Sequence, residues 1–163
     1  LFRGKKPKRL KGIMWQQAPG IGINTRIYDY VYYGEDKKRI TTVFEFHSPS
    51  FRFPRFSIQP KGAAAKIKEF FKSKEILPYP DYPAFHKKYQ VKTADPYFFE
   101  EALSPAFMEY YLHTAQSSLE GEGAYLIFYR KSKPVSPKNI QGKLQVYLDL
   151  IQHLQQRDDE EYV

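Results

Sequence analysis

The chain has 163 residues, no cysteine and a formal net charge of +8. Its length suits one domain, able to bury roughly 70% of its unfolded surface without covalent staples. Lack of cysteine excludes disulfide frameworks, thiolate nucleophiles and cysteine-ligated zinc, and an aromatic content of 17% excludes a disordered body.

The chain opens on an uneven charge distribution. Arg3, Lys5, Lys6, Lys8, Arg9 and Lys11 fall in the first dozen residues with no acid among them, and the other 20 basic residues face 18 acids. A basic arm on a nearly neutral body differs from a basic groove for nucleic acid. Leu1-Phe2 followed by this cluster has the pattern of the cytoplasmic end of a membrane helix. Lys and Arg resist translocation, and each gains about 1 kcal/mol against anionic headgroups. The expectation is a membrane-surface arm over residues 1–11 with a transmembrane segment ahead of Leu1; the alternative is an ordinary flexible basic tail. No run within the chain approaches the ~20 apolar residues that span a bilayer, and none forms a signal-peptide core.

The first half reads as strands. Leu10 to Gln17 is a short strand, and Pro19-Gly20-Ile21-Gly22 a turn. Over Ile23 to Tyr33, Ile23, Thr25, Ile27, Asp29, Val31 and Tyr33 share one face, and Asn24, Arg26, Tyr28, Tyr30 and Tyr32 the other. Gly34 to Lys38 is a hairpin loop, and Arg39 to His47 returns antiparallel because so short a loop cannot make a crossover. Phe51 to Ile58 alternates too, with Pro54 confining it to an edge or a break.

The second half mixes helices and strands. Gly62 to Phe71 reads as a helix, Leu77 to Pro83 as a rigid Pro-rich loop, and Lys87 to Thr93 as a strand. Asp95-Pro96, Ser104-Pro105 and Ser136-Pro137 each place a capping oxygen before a proline, the chemistry of a helix start. Ser117 to Glu120 and Ala124 to Arg130 form a hairpin around Gly121-Glu122-Gly123. Its run Tyr125-Leu126-Ile127-Phe128-Tyr129 is too apolar for anything but a central strand. The last helix carries Ile140, Leu144, Tyr147, Leu148, Ile151 and Leu154 on one stripe, with Lys143 among the residues opposite, and ends in the acidic Asp158-Asp159-Glu160-Glu161.

These elements give an α+β fold: a curved antiparallel sheet of about six or seven strands, three or four helices, and the C-terminal helix packed on the sheet. A pleckstrin-homology-like barrel with insertions is the alternative. The organisation is a basic arm (1–11), one α+β domain (12–156) and an acidic tail (157–163).

Three segments carry a resemblance: Pro54-Arg55-Phe56-Ser57-Ile58-Gln59-Pro60, Pro83-Ala84-Phe85-His86-Lys87-Lys88-Tyr89, and Leu119-Glu120-Gly121-Glu122-Gly123 before the apolar strand. In that order the chain resembles an uncharacterised family of bacterial membrane-anchored proteins, in which a soluble domain follows one or two transmembrane helices. The chain departs from that family's pattern at Lys61, where Glu is usual, and at His86, where Ser is usual. The resemblance implies membrane attachment and brings no catalytic residues.

No motif points to catalysis or to a cofactor. Glu45 and His47 share a strand face and could supply two metal ligands, but a third is not evident. There is no Gly-x-Ser-x-Gly elbow, and Gly20-Ile21-Gly22 leads into a strand, so no helix N-terminus awaits a phosphate. Glu120 and Glu122 read as solvated turn residues, poor for acid–base work. Two binding readings remain. Arg26, Tyr28, Tyr30 and Tyr32, beside Lys37, Lys38 and Arg39, could stack unpaired bases for about 1–3 kcal/mol each. Tyr79 and Tyr82, in the Pro-rich loop, could contact a partner.

The expected function is a non-enzymatic, cytoplasm-facing domain of a bacterial inner-membrane protein, with no cofactor or metal, that binds a protein partner or an anionic membrane surface. Single-stranded nucleic-acid binding is the first alternative, and an enzyme with an unrecognised site the second.

Overall fold

The computed structural model describes residues 9–18, 22–34, 37–64, 74–75 and 81–155. The period-two pattern of the first half becomes three long strands, β1 (Arg9–Ala18), β2 (Ile23–Gly34) and β3 (Lys37–His47), paired antiparallel in chain order. β4 (Phe53–Pro60), β5 (Lys74–Glu75), β6 (Tyr89–Thr93), β7 (Ser118–Gly123) and β8 (Tyr125–Tyr129) complete one sheet in the order β1-β2-β3-β8-β7-β4-β6-β5, antiparallel throughout. The expected α+β sheet is present, with eight strands because β5 adds a two-residue edge. It does not close: β1 and β5 are separate edges, which excludes the barrel alternative. β8 lies fourth in the order, as its apolar run demands.

The helices are α1 (Lys61–Ala64), α2 (Pro83–Lys88), α3 (Pro96–Ala102), α4 (Pro105–Tyr110) and α5 (Pro137–Gln155), with a π-helical turn, Tyr111–Ala115, continuing α4. At α3 and α4 the capping chemistry operates as read. Asp95 Oδ1 accepts from Phe98 N at 3.2 Å, Ser104 Oγ accepts from Phe107 N at 3.1 Å, and α5 starts at Pro137. Beyond Ala64, the helix expected over Gly62 to Phe71 lies outside the described residues, as do most of the Pro-rich loop and the acidic tail.

Five local expectations are corrected. β4 is an interior strand, because Pro54 sits in a register shift between Phe53 and Phe56, before pairing with β6 begins. Its missing N–H therefore costs no ladder bond. Lys87 and Lys88 belong to α2, and the strand starts at Tyr89. Pro83 is the first residue of that helix, where its fixed φ is pre-set, and not the last residue of a loop. The β7–β8 turn is shorter than expected, since Glu122 pairs with Tyr125 and only Gly123 (φ +60) and Ala124 lie between them. Gly121 is inside β7, where a Cβ would clash with Phe56 and come within 2.6 Å of Leu126 Cδ2. Finally, the basic arm does not end at Lys11, because β1 already begins at Arg9.

All the longer helices pack on one face of the sheet. Phe44 and Phe46 of β3, Phe56 and Ile58 of β4, Val91 of β6, Leu119 of β7, and Leu126 and Phe128 of β8 meet Phe85, Phe99, Phe107, Tyr111 and the buried stripe of α5 in one core. That stripe is Leu144, Tyr147, Leu150, Ile151 and Leu154, with Ile140 and Leu148 partly buried at its margin. Tyr30, Tyr32, Val43 and Tyr129 form a separate small cluster on the opposite face.

Candidate functional site

On the face away from the helices, strand alternation lines up the residues that the sequence singled out. Arg26 Nη1 lies 3.4 Å from Glu45 Oε1, and Tyr28 donates to Glu45 Oε2 at 3.4 Å. Burial, then the Glu45 carboxylate, pushes the Tyr28 hydroxyl up to about 12. Tyr30 and Tyr32 are only 3% and 7% exposed, with ring centroids 5.6 Å apart. Tyr32 Oη shares a 2.8 Å hydrogen bond with Ser132 Oγ. An accessible tyrosine row is therefore replaced by covered rings, which are not presented for stacking on a base. They pack in one cluster with Val43 of β3 and Tyr129 of β8.

Lys37 and Lys38 are exposed at the start of β3, and Arg39 is half-buried. Tyr82 precedes α2 and packs on the main core, so it is a core-edge residue more than a contact residue. The backbones of Arg9 and Lys11 belong to edge strand β1. Arg3, Lys5, Lys6, Lys8 and Tyr79 lie outside the described residues.

The Glu45–His47 pair is occupied by its own face. Glu45 takes Arg26 and Tyr28, and His47 packs on the Tyr125 ring at 4.6 Å. Among the described residues no three His, Asp or Glu side chains converge on a metal position. Glu120 is not a solvated turn residue. It accepts from Tyr129 Oη and, at 3.2 Å, from Gln59 Nε2. Burial, followed by that carboxylate, keeps the Tyr129 hydroxyl protonated far above its ordinary range. Glu122 is exposed and faces Arg55 at 3.9 Å.

The sequence did not single out the second grouping, on the helical face at one end of the sheet. Asp29 pairs with Thr42, and Pro60 with Tyr89. Continuing the β3–β8, β7–β8 and β4–β7 registers by one or two residues places Arg130 and Ser117 between them. The cross-strand row is thus Asp29, Thr42, Arg130, Ser117, Pro60 and Tyr89, two residues beyond the core positions Ile27, Phe44, Phe128, Leu119, Ile58 and Val91. Strand alternation puts both rows on one face. The π-helical turn and α5 roof it over. Tyr111 Oη donates to Ser117 O at 2.7 Å, and Lys143 Nζ donates to Ala115 O at 3.4 Å.

The donors in this row outnumber the acceptors. Tyr89 and Ser117 are each 1% exposed, and neither the Tyr89 hydroxyl nor Ser117 Oγ has a hydrogen-bond partner. The Ser117 hydroxyl lies close enough to Tyr111 and Tyr147 to bias their acidity, although Oγ itself has no hydrogen-bond partner and Tyr111 bonds only the Ser117 carbonyl. Burial, then each neighbouring phenol, raises Tyr111 well above the usual range, so these phenols stay protonated. Burial and then the charge of Arg130 lower Lys143, and Arg130 also acts on Tyr89 and Tyr147. Arg130 and Lys143 are both half-buried, and neither forms an ion pair with any described residue. Asp29, at the far end of the row, accepts from Thr42 Oγ1 at 2.6 Å. Chain entry into β7 is also unusual: Gln116 follows the π-helical turn with φ of 46, a left-handed conformation rare for residues other than glycine.

Two sequence signals could have found this row. Lys143 is four residues before Tyr147, on the apolar stripe and not opposite it. Arg130 continues the alternation of Leu126 and Phe128.

No family model matches the chain, and no curated protein matches it. Among solved structures, the fold is similar to that of the mycobacterial trehalose monomycolate transport factor A, TtfA. The TM-score is 0.62 at 13% identity, covering 88% of this chain and 73% of that one. At that identity the likeness shows a shared fold.

Proposed function

We propose that the chain is a non-enzymatic binding domain of a membrane-anchored bacterial protein, facing the cytoplasm and engaging an anionic lipid surface or a protein partner beside it. The observation that carries this reading is where the positive charge sits. Six basic residues without an acid occupy the first eleven positions; four of them precede β1, an edge of the sheet, and Arg9 and Lys11 belong to it. An arm continuous with an edge strand holds the domain against whatever surface the arm binds. No helix among the described residues is long and apolar enough to cross a membrane, so attachment on this reading comes from outside the folded domain. The shared fold with a protein named as a transport factor supports a role in binding and not in chemistry.

The test is co-sedimentation with vesicles containing about one-third phosphatidylserine. Changing Arg3, Lys5, Lys6 and Lys8 to Gln leaves β1 intact. At about 1 kcal/mol per residue, it should weaken binding by more than a hundredfold. Equal binding by the parent and this variant would sink the reading.

A further inference from the structure

We propose that the row at the end of the sheet, lined by Arg130, Lys143, Tyr89 and Ser117, is a seat for a tetrahedral phosphate-type oxyanion. This inference does not rest on the membrane reading, since none of its residues belongs to the basic arm.

Three independent observations converge on it. The first is the pair of hydroxyls on Tyr89 and Ser117, fully buried and without partners. A buried polar group with no partner costs about 1–3 kcal/mol, so such groups are normally satisfied by a protein atom, an ordered water or a ligand. The second is the pair of cations. Arg130 and Lys143 lie near enough for one to depress the other, and neither has a carboxylate partner among the described residues. Two half-buried like charges repel, and an anion between them removes that repulsion. The third is the backbone. The π-helical turn and the left-handed Gln116 place Ser117 beneath α5, and such irregularities gather at binding sites.

Two acids have partners of their own, one of them at the far end of the row. Asp29 is bound by Thr42, and Asp149 of α5 accepts from Tyr110 at 2.9 Å. The donors come from different elements and directions: a guanidinium from the end of β8, an ammonium from α5, and hydroxyls from β6 and the start of β7. That spread suits the several oxygens of a tetrahedral anion better than the two coplanar oxygens of a carboxylate.

Two structural roles compete. Lys143 also caps the π-helical turn through Ala115 O, much as Lys88 Nζ donates to Leu112 O at 3.3 Å. A single buried water could join Tyr89 to Ser117. Neither role predicts saturable binding of an anion.

The experiment titrates the intact chain with inorganic phosphate and, separately, with a short-chain phosphatidate below its micelle concentration. It follows the Arg130 and Lys143 side-chain resonances by NMR. The expected result is saturable shifts at both, with the Lys143 titration moving upward when the anion is bound. Arg130→Gln and Lys143→Gln should each weaken binding by about tenfold or more, and Tyr89→Phe by a smaller factor, without loss of fold. Tighter binding of the phosphatidate identifies a lipid headgroup, and equal or tighter binding of phosphate a free oxyanion; either supports the seat. Failure of both probes to saturate, or unchanged affinity in both Arg130→Gln and Lys143→Gln, overturns it. The probes are soluble monomers, so this failure is distinct from failure of the vesicle test.

Discussion

The ring of Tyr147 on α5 lies flat against that of Phe128 on β8, with centroids 4.3 Å apart and planes 14° apart. Phe44 meets the same tyrosine edge-on at 5.0 Å, so one residue joins the last helix to two central strands. Tyr147→Ala should therefore cost about 3–5 kcal/mol in urea unfolding, from lost transfer and an unfilled cavity. Tyr147→Phe keeps the ring and should cost far less. Comparable losses for the two variants would show that the hydroxyl, and not the stack, fixes α5.

Gly121 sits in the middle of β7 where Phe56 and Leu126 close over it. Gly121→Ala should destabilise by about 1–3 kcal/mol through overpacking. Gly123→Ala, in open space but at positive φ, strains the turn instead. Thermal melts of the two separate the mechanisms. A second substitution, Leu126→Val, should relieve part of the first loss and none of the second.

Tyr129 and Glu120 are bound across the outer face of the β7–β8 hairpin, with Gln59 reaching in from β4. Tyr129→Phe takes away one donor and should cost about 1–3 kcal/mol. A change near zero in chemical denaturation would mean that Glu120 is solvated, as its place in the sequence first implied.

His86 stands in the core, 4% exposed. Burial, and secondarily the Lys61 ammonium, lower it from its ordinary 6.5. A histidine held neutral in the fold but free to protonate when unfolded gives the unfolded chain more protons below about pH 6.5. Stability should fall as the pH drops through that value towards the folded pKa, and then level off. Urea midpoints between about pH 7.5 and 5 should trace that slope, and His86→Gln should flatten it. A slope unchanged by the substitution would assign it to other groups.

Local chemistry made much of this protein legible from sequence. Hydroxyl-or-carboxyl followed by proline marks the starts of α3, α4 and α5, because a capping oxygen and a preset φ act within a few residues. The uniform apolar run from Tyr125 to Tyr129 placed β8 in the middle of the sheet, because only a strand covered on both faces tolerates it. What sequence could not reveal depended on neighbours distant in the chain. Pro54 is tolerated in an interior strand because a register shift falls there, and Tyr30 and Tyr32 are buried in a cluster with Val43 and Tyr129, residues of other strands. Tyr89, Ser117, Arg130 and Lys143 come from four separate elements, and each looks unremarkable alone. Strand register and the seating of α5 bring them together, and those are set by the packing of the whole sheet and not by any one segment's pattern.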